Sequence, residues 1–283
     1  MKQKYWIYAS LCVFIWGMLS VLIRLTFGSF SAVSLAAARS WIAAITMLII
    51  CIVKKIKPPR PRDIPIFFVA GAAGFTVYFV FYNMGFNLVT AATGNVVIAA
   101  APIFSSIIAW IFLKERIRPL GWVFTGVSFI GIIILALWNG VFSINPGVIW
   151  LLIAAVLMST YNLMQRRLTK RYTPIQSSSF SLMAGAILIS PILPTSINDA
   201  GNAPFSAIAV ILGISIASSF SYILWAKAIS LAKRTADVAN FLYVPPVLGA
   251  IIAFIIFREV PDWGTIIGGI VILFGLWMFQ KKA

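Results

Sequence analysis

Ten stretches of this chain are apolar for about twenty residues each, and short gaps separate them. They fall near 6–23, 32–53, 64–86, 93–113, 120–138, 147–165, 176–193, 205–229, 236–257 and 263–279. A helix needs about 20 residues to cross about 30 Å of hydrocarbon. In that layer every backbone amide must find its partner within its own segment, so such runs fold as helices. The pattern predicts an all-α membrane protein with ten transmembrane helices. Composition supports this: 10% of the 283 residues are charged, against about 25% in a soluble domain. Too little polar surface exists to face water. The first run follows Lys2 and Lys4 as a signal peptide would, but it lacks a small-residue cleavage site and meets Arg24 directly, so it reads as a retained helix. Four serines, Ser177, Ser178, Ser179 and Ser181, dilute the seventh run, and the stretch 193–204 reads as a surface loop.

The charge balance would mislead if read without its spacing. Twenty-two Lys and Arg against six Asp and Glu give +16, a value that suggests nucleic acid in a soluble protein. Here the cations stand in clusters at both termini and in every second gap: Lys2/Lys4, 54–62, 114–118, 166–171, Lys233/Arg234 and Lys281/Lys282. Eighteen of the 22 fall on one side, Arg24 and Arg258 on the other, and Arg39 and Lys227 within the runs. That asymmetry is a topology signal and not a nucleic-acid surface. It predicts a multi-pass protein of the plasma (cell inner) membrane with both termini cytoplasmic.

A shift of 144 residues lays the second part of the chain on the first. Tyr78 falls on Tyr222, Ala92 on Ala236, Pro102 on Pro246, Ala109 on Ala253, Glu115 on Glu259 and Gly131 on Gly275. The phase holds for about 50 residues, which two units of one ancestry explain. The units are 1–140 and 145–283, five helices each. An odd number of crossings starts the second unit from the opposite side, so Glu115 and Glu259 lie at opposite faces. Two inverted halves can enclose a pathway open to either side in turn, which is the geometry of a carrier.

The residues of this pattern resemble the EamA family of the drug/metabolite transporter superfamily. The likeness runs through Trp16-Gly17, Arg39 and Tyr78 to Tyr82-Asn83-Met84-Gly85. It continues from Ala91-Ala92 through Pro102 to Leu113-Lys114-Glu115, with Gly126 and Gly131 beyond. The second copy repeats it from Ala236 through Pro246 to Arg258-Glu259, with Gly275. The resemblance implies an inner-membrane carrier in two inverted five-helix halves, of a family whose members mostly export amino acids, other metabolites or toxic compounds. One departure bears on the cargo: Lys227 stands where the first copy has Asn83, so a relative's substrate does not transfer directly.

Chemistry narrows the site. With no histidine, and no P-loop, Gly-x-Ser-x-Gly or Cys-x-x-Cys pattern, the chain offers no familiar catalytic or metal-binding set; no enzyme activity, metal or cofactor is expected. Cys12 and Cys51 lie in apolar runs and read as packing residues. A charge at a helix centre costs about 2.5–3.5 kcal/mol, so Lys227 and Arg39 call for a reason. Lys227 is a candidate substrate contact, with snorkelling to the headgroups as the alternative. Arg39 reads as a structural ion pair or carbonyl clamp, and Glu115 and Glu259 as structural charges paired at helix ends. None of the six acids falls mid-run, which disfavours a proton-coupled cation carrier and favours a substrate with an anionic group.

Tyr78, Tyr82 and Asn83 on the third run, Tyr222 on the eighth, and Asn240 and Tyr243 on the ninth are the other candidate substrate contacts. They lie with Asn95, Ser215 and Ser219 at spacings that form wet helix faces. Pro102 and Pro246 interrupt the middle of their runs and free carbonyls near Ile98, Phe241 and Leu242, so they read as hinges. The expectation is an exporter of a small metabolite, such as an amino acid or organic anion, working as a monomer or homodimer. A passive channel-like facilitator or a lipid flippase are the alternatives.

Overall fold

Caps and prolines set where many helices begin. The computed structural model of the protein describes residues 5–113, 119–138, 145–232, 238 and 240–282. The helices are α1 (Tyr5–Leu22), α2 (Ala32–Val53), α3 (Ile64–Gly71), α4 (Val77–Phe86), α5 (Ala91–Ile98), α6 (Ala101–Leu113), α7 (Pro119–Leu137), α8 (Pro146–Leu168), α9 (Pro174–Leu188), α10 (Leu193–Asn202), α11 (Phe205–Leu231), α12 (Val244–Phe257) and α13 (Trp263–Lys282). Ser31 and Thr90 cap α2 and α5 by accepting from Ser34 and Thr93 amides. Thr173 and Gln176 form a reciprocal capping box ahead of α9, whose first residue is Pro174. No β-strand occurs among the described residues.

Among the described residues, five helices are long and apolar enough to cross a bilayer: Tyr5–Thr26, Ala32–Val53, Pro61–Phe86, Pro146–Leu168 and Phe205–Leu231. The pair Pro174–Leu188 and Ser190–Asn202, bent by 53°, counts as a sixth if its two helices form one span. Thr93–Ser105, Pro119–Ile134, Val247–Phe257 and Trp263–Gly275 are shorter apolar helices.

Two expectations need correction. The stretch 193–204 is not an irregular loop: Leu193–Asn202 is a helix with proline in its first turn, where a missing N–H costs nothing. Nor are the prolines in mid-helix. Pro102 is the second residue of α6, after a break at residues 99–100. Pro245 and Pro246 are the second and third residues of α12, after the 3-10 turn Asn240–Tyr243. Proline cannot donate to the preceding turn, so each run splits and a new helix starts at the proline.

The bundle has an apolar core with buried serines set among its helices, and its exterior is apolar as well. Ser177, Ser178, Ser179 and Ser181 are all buried. Ser178 Oγ donates to the Tyr222 carbonyl at 3.0 Å and Ser179 Oγ to Met47 Sδ at 3.2 Å. The serines that weakened the hydropathy signal thus face neighbouring helices, where a small side chain permits close approach. Large exposed side chains such as Phe205, Ile255 and Ile270 cover the exterior, as lipid requires. A π-helical turn, Ala72–Thr76, interrupts the span between α3 and α4.

α7 and α13 pack tightly against each other. A Cβ on Gly131 would lie 2.8 Å from the Gly268 carbonyl, and one on Gly275 would lie 2.9 Å from the Phe124 carbonyl. These two approaches exchange under the 144-residue shift. Ser128 Oγ donates to the Ile272 carbonyl at 3.3 Å, across a separation of 144 residues.

Loop contacts fix which connections share an end of the bundle. Asp63 accepts from Tyr172 Oη at 2.6 Å and faces Arg171 at 3.4 Å. Gln176 Nε2 donates to the Lys57 carbonyl at 3.0 Å. The basic segments 54–62 and 166–171 therefore meet at one end. At the other, the Ser31 amide donates to Asp199 at 3.4 Å, and Arg24 pairs with Glu259.

Candidate functional site

A cavity with about 680 Å³ of empty space, part of it open to solvent, lies among α1, α2, α4, α5, α8, α11 and the start of α12. Tyr78 and Tyr82 face it from α4, one turn apart, and Tyr222 faces it from α11. Tyr78 and Tyr222, which the repeat shift equates, thus look into one space from two helices. The aromatic wall continues through Trp16, whose ring lies 5.5 Å from that of Tyr222 and 5.0 Å from that of Trp225. Trp16 Nε1 donates to Ser221 Oγ at 2.8 Å, which fixes the ring.

Arg39 also lines this cavity, eight residues into α2 and only 5% exposed. Its Nη1 donates to Asn83 Oδ1 at 3.2 Å, and Asn83 Nδ2 donates in turn to the Ala32 carbonyl at 3.0 Å. The guanidinium sits over the Phe79 ring, 4.3 Å from its centroid. A desolvated contact of this kind contributes about 2 kcal/mol, less than the several kcal/mol a buried ion costs to dehydrate. Arg39 makes no ion pair among the described residues, and its Nε has no hydrogen-bond partner. Of the expected structural ion pair or carbonyl clamp, the ion pair is not seen among the described residues, and the guanidinium is held on neutral groups at a cavity wall.

Both helix breaks reach the same space. Ile98, Ala99 and Ala101 line it from the first break, and Leu242 and Pro245 from the second. Asn95 lines it too, and its Nδ2 donates to Ser20 Oγ and to the Ala91 carbonyl, each at 2.8 Å. At the first break the C-terminal end of α5 and the start of α6 meet at the cavity, so helix poles of both signs face it.

The remaining expected contacts fall in different places. Asn83 is fully buried behind Arg39. Lys227 is half-buried and does not line the cavity. Five residues separate it from Tyr222, and at 3.6 residues per turn that rotates it about 140° away around α11. Among the described residues the cation that lines the cavity is Arg39. Asn240, Tyr243 and Pro246 belong to the second break, but their side chains lie outside the described residues, as does all of Glu115. Glu259 pairs with Arg24, whose guanidinium also lies over Phe257 at 5.3 Å.

Sequence reasoning did not assign a contact role to Trp16, Ser218, Met158 or Arg39, which line the cavity. A tryptophan in the middle of an apolar run was the available signal for Trp16, since interfacial anchors sit at run ends. Ser218 lies one turn from Tyr222 on α11 and shares its face. No group of three or more His, Cys, Asp or Glu residues capable of holding a metal occurs among the described residues.

Known proteins are similar to this chain in sequence. The sequence profile of the EamA-like transporter family matches twice, over residues 3–137 and 145–280. A probable terminal-alkyne amino-acid exporter of Streptantibioticus cattleyicolor is 28% identical over 96% of this chain and 92% of its own length. An uncharacterized transporter of Archaeoglobus fulgidus is 30% identical over 99% of this chain and all of its own. An S-adenosylmethionine uptake transporter of Rickettsia prowazekii is 29% identical over 68% of this chain and 64% of its own. A solved crystal structure aligns with 98% of this chain and 96% of its own at a TM-score of 0.66 and 17% identity, a likeness of fold alone. The chain belongs to the EamA-like transporter family, as a multi-pass membrane transporter of a small molecule.

Proposed function

We propose that this protein exports a small metabolite, such as an amino acid or organic anion, by alternating access. Ten spans form two five-helix halves, residues 1–140 and 145–283, threaded through the cell inner membrane in opposite senses, with both termini cytoplasmic. Tyr78, Tyr82 and Tyr222 contact the substrate, Asn83 supports the wall behind them, and Asn240 and Tyr243 extend the site from the second break. The breaks at Pro102 and Pro246 act as hinges. The observation that carries this reading is that Tyr78 and Tyr222, 144 residues apart, line one cavity. A site on the boundary of two equivalent units is where their relative motion transfers access from one side to the other. Support for the direction and the amino-acid class comes from the exporter of Streptantibioticus cattleyicolor.

The test is counterflow in proteoliposomes with a panel of labelled amino acids and organic anions. A carrier gives saturable uptake that rises when unlabelled substrate is loaded inside. Flux that stays linear in concentration and ignores internal substrate would replace the carrier with a passive facilitator.

A further inference from the structure

We infer that Arg39 anchors the carboxylate of a monoanionic ligand whose apolar or aromatic body lies among Trp16, Tyr78, Tyr82 and Tyr222. This rests on the transporter reading above and adds the chemical class of its cargo. Arg39 carries a charge that has no counter-ion among the described residues. It is buried at the cavity wall, and among the described residues its one hydrogen-bond acceptor is the neutral Asn83 and its Nε has no partner. The described acids are engaged elsewhere: Asp63 with Tyr172 and Arg171, Asp199 with the Ser31 amide, Glu259 with Arg24, and Asp262 with the Thr265 amide. None of them lines the cavity. A buried cation without a counter-ion is stabilised by an anion that enters beside it, and a guanidinium offers a fork that matches a carboxylate.

One further feature selects the class. The cavity otherwise presents rings: Trp16 against Tyr222 at 5.5 Å, and Tyr78 against Tyr82 at 5.4 Å. Rings accept a planar or apolar body. A single guanidinium balances one negative charge, which sets a monocarboxylate ahead of a phosphate dianion.

Three small molecules with the same ring and different heads isolate the effect: phenylacetate, phenylacetamide and phenethylamine. Each is titrated into the purified full-length protein in lipid nanodiscs, with calorimetry as the readout. Phenylacetate should bind at least about tenfold more tightly than phenylacetamide, and phenethylamine more weakly than either. Arg39→Met should erase the preference for phenylacetate, and Arg39→Lys should keep part of it. Asn83→Asp keeps Arg39 but sets a carboxylate at the acceptor position on Nη1, and should erase the preference as well. It decides the matter if Arg39→Met does not fold. Equal binding of acid and amide to the wild type, tighter binding of the amine, absence of binding by all three, or a preference that survives Asn83→Asp would each overturn the inference. Counterflow of a neutral or cationic solute would overturn it while leaving the carrier intact. Phenylacetate bound with the stated preference, but no counterflow of any solute, would uphold this inference and remove the carrier reading.

Discussion

Residues 144 apart are equivalent by the repeat shift, yet they match well in one part of the molecule and diverge in another. Between α7 and α13, Gly131 and Gly275 make the same close approach to each other's helix, and Ser128 meets its own counterpart Ile272. Around the cavity Tyr78 and Tyr222 agree, but the other polar and aromatic positions of the wall diverge. Arg39 has Met183 as its counterpart, Phe79 has Ile223, Tyr82 has Ala226 and Asn83 has Lys227. The π-helical turn Ala72–Thr76 has a regular helix opposite it, within Phe205–Leu231. Packing two equivalent helices against each other demands small residues on both sides, so the scaffold stays symmetric. A small metabolite has no two-fold axis, so the cavity wall does not.

That contrast can be broken in four ways, in descending order of effect. Arg39→Met should lower kcat/KM for a carboxylated substrate by about 30-fold or more, the factor for losing at least about 2 kcal/mol from a buried charge contact. Adding Met183→Arg should not restore it, because the wall needs its cation on the first half only; recovery in a transport assay would refute the asymmetry. Gly131→Leu and Gly275→Leu should each destabilise the protein by about 1–3 kcal/mol, to a similar degree, in thermal unfolding of the detergent-solubilised protein. A large drop for one and none for the other would end the claim of a symmetric scaffold. Trp16→Phe removes the donor to Ser221 and should weaken substrate affinity by about fivefold, the equivalent of about 1 kcal/mol for one hydrogen bond. Lys227→Ala should change transport by less than about twofold, since Lys227 lies off the cavity; a loss comparable to that of Arg39→Met would return the substrate role to Lys227.

Much of the helical framework could be read from hydropathy because lipid leaves few alternatives to a helix. The repeat phase alone pairs Tyr78 with Tyr222. Three things were hidden, each for a physical reason. Hydropathy averages over a window, so the proline-initiated starts at Pro102 and Pro245 read as kinks in one helix and not as ends of two. The serines of α9 lowered the signal although their burial is what lets that helix pack. The choice between Arg39 and Lys227 was a question of azimuth on two separate helices, and only their packing angle decides which cation meets the cavity.

The most direct test of the opposed halves is accessibility labelling in oriented membranes, with Cys12 and Cys51 replaced by serine. Single cysteines are placed at Lys57, Lys170, Asn198 and Val260, all exposed positions. Lys57 and Lys170 should react with an impermeant reagent from one face alone, and Asn198 and Val260 from the other face alone. Reaction of the Lys57 and Lys170 positions from opposite faces would contradict the account.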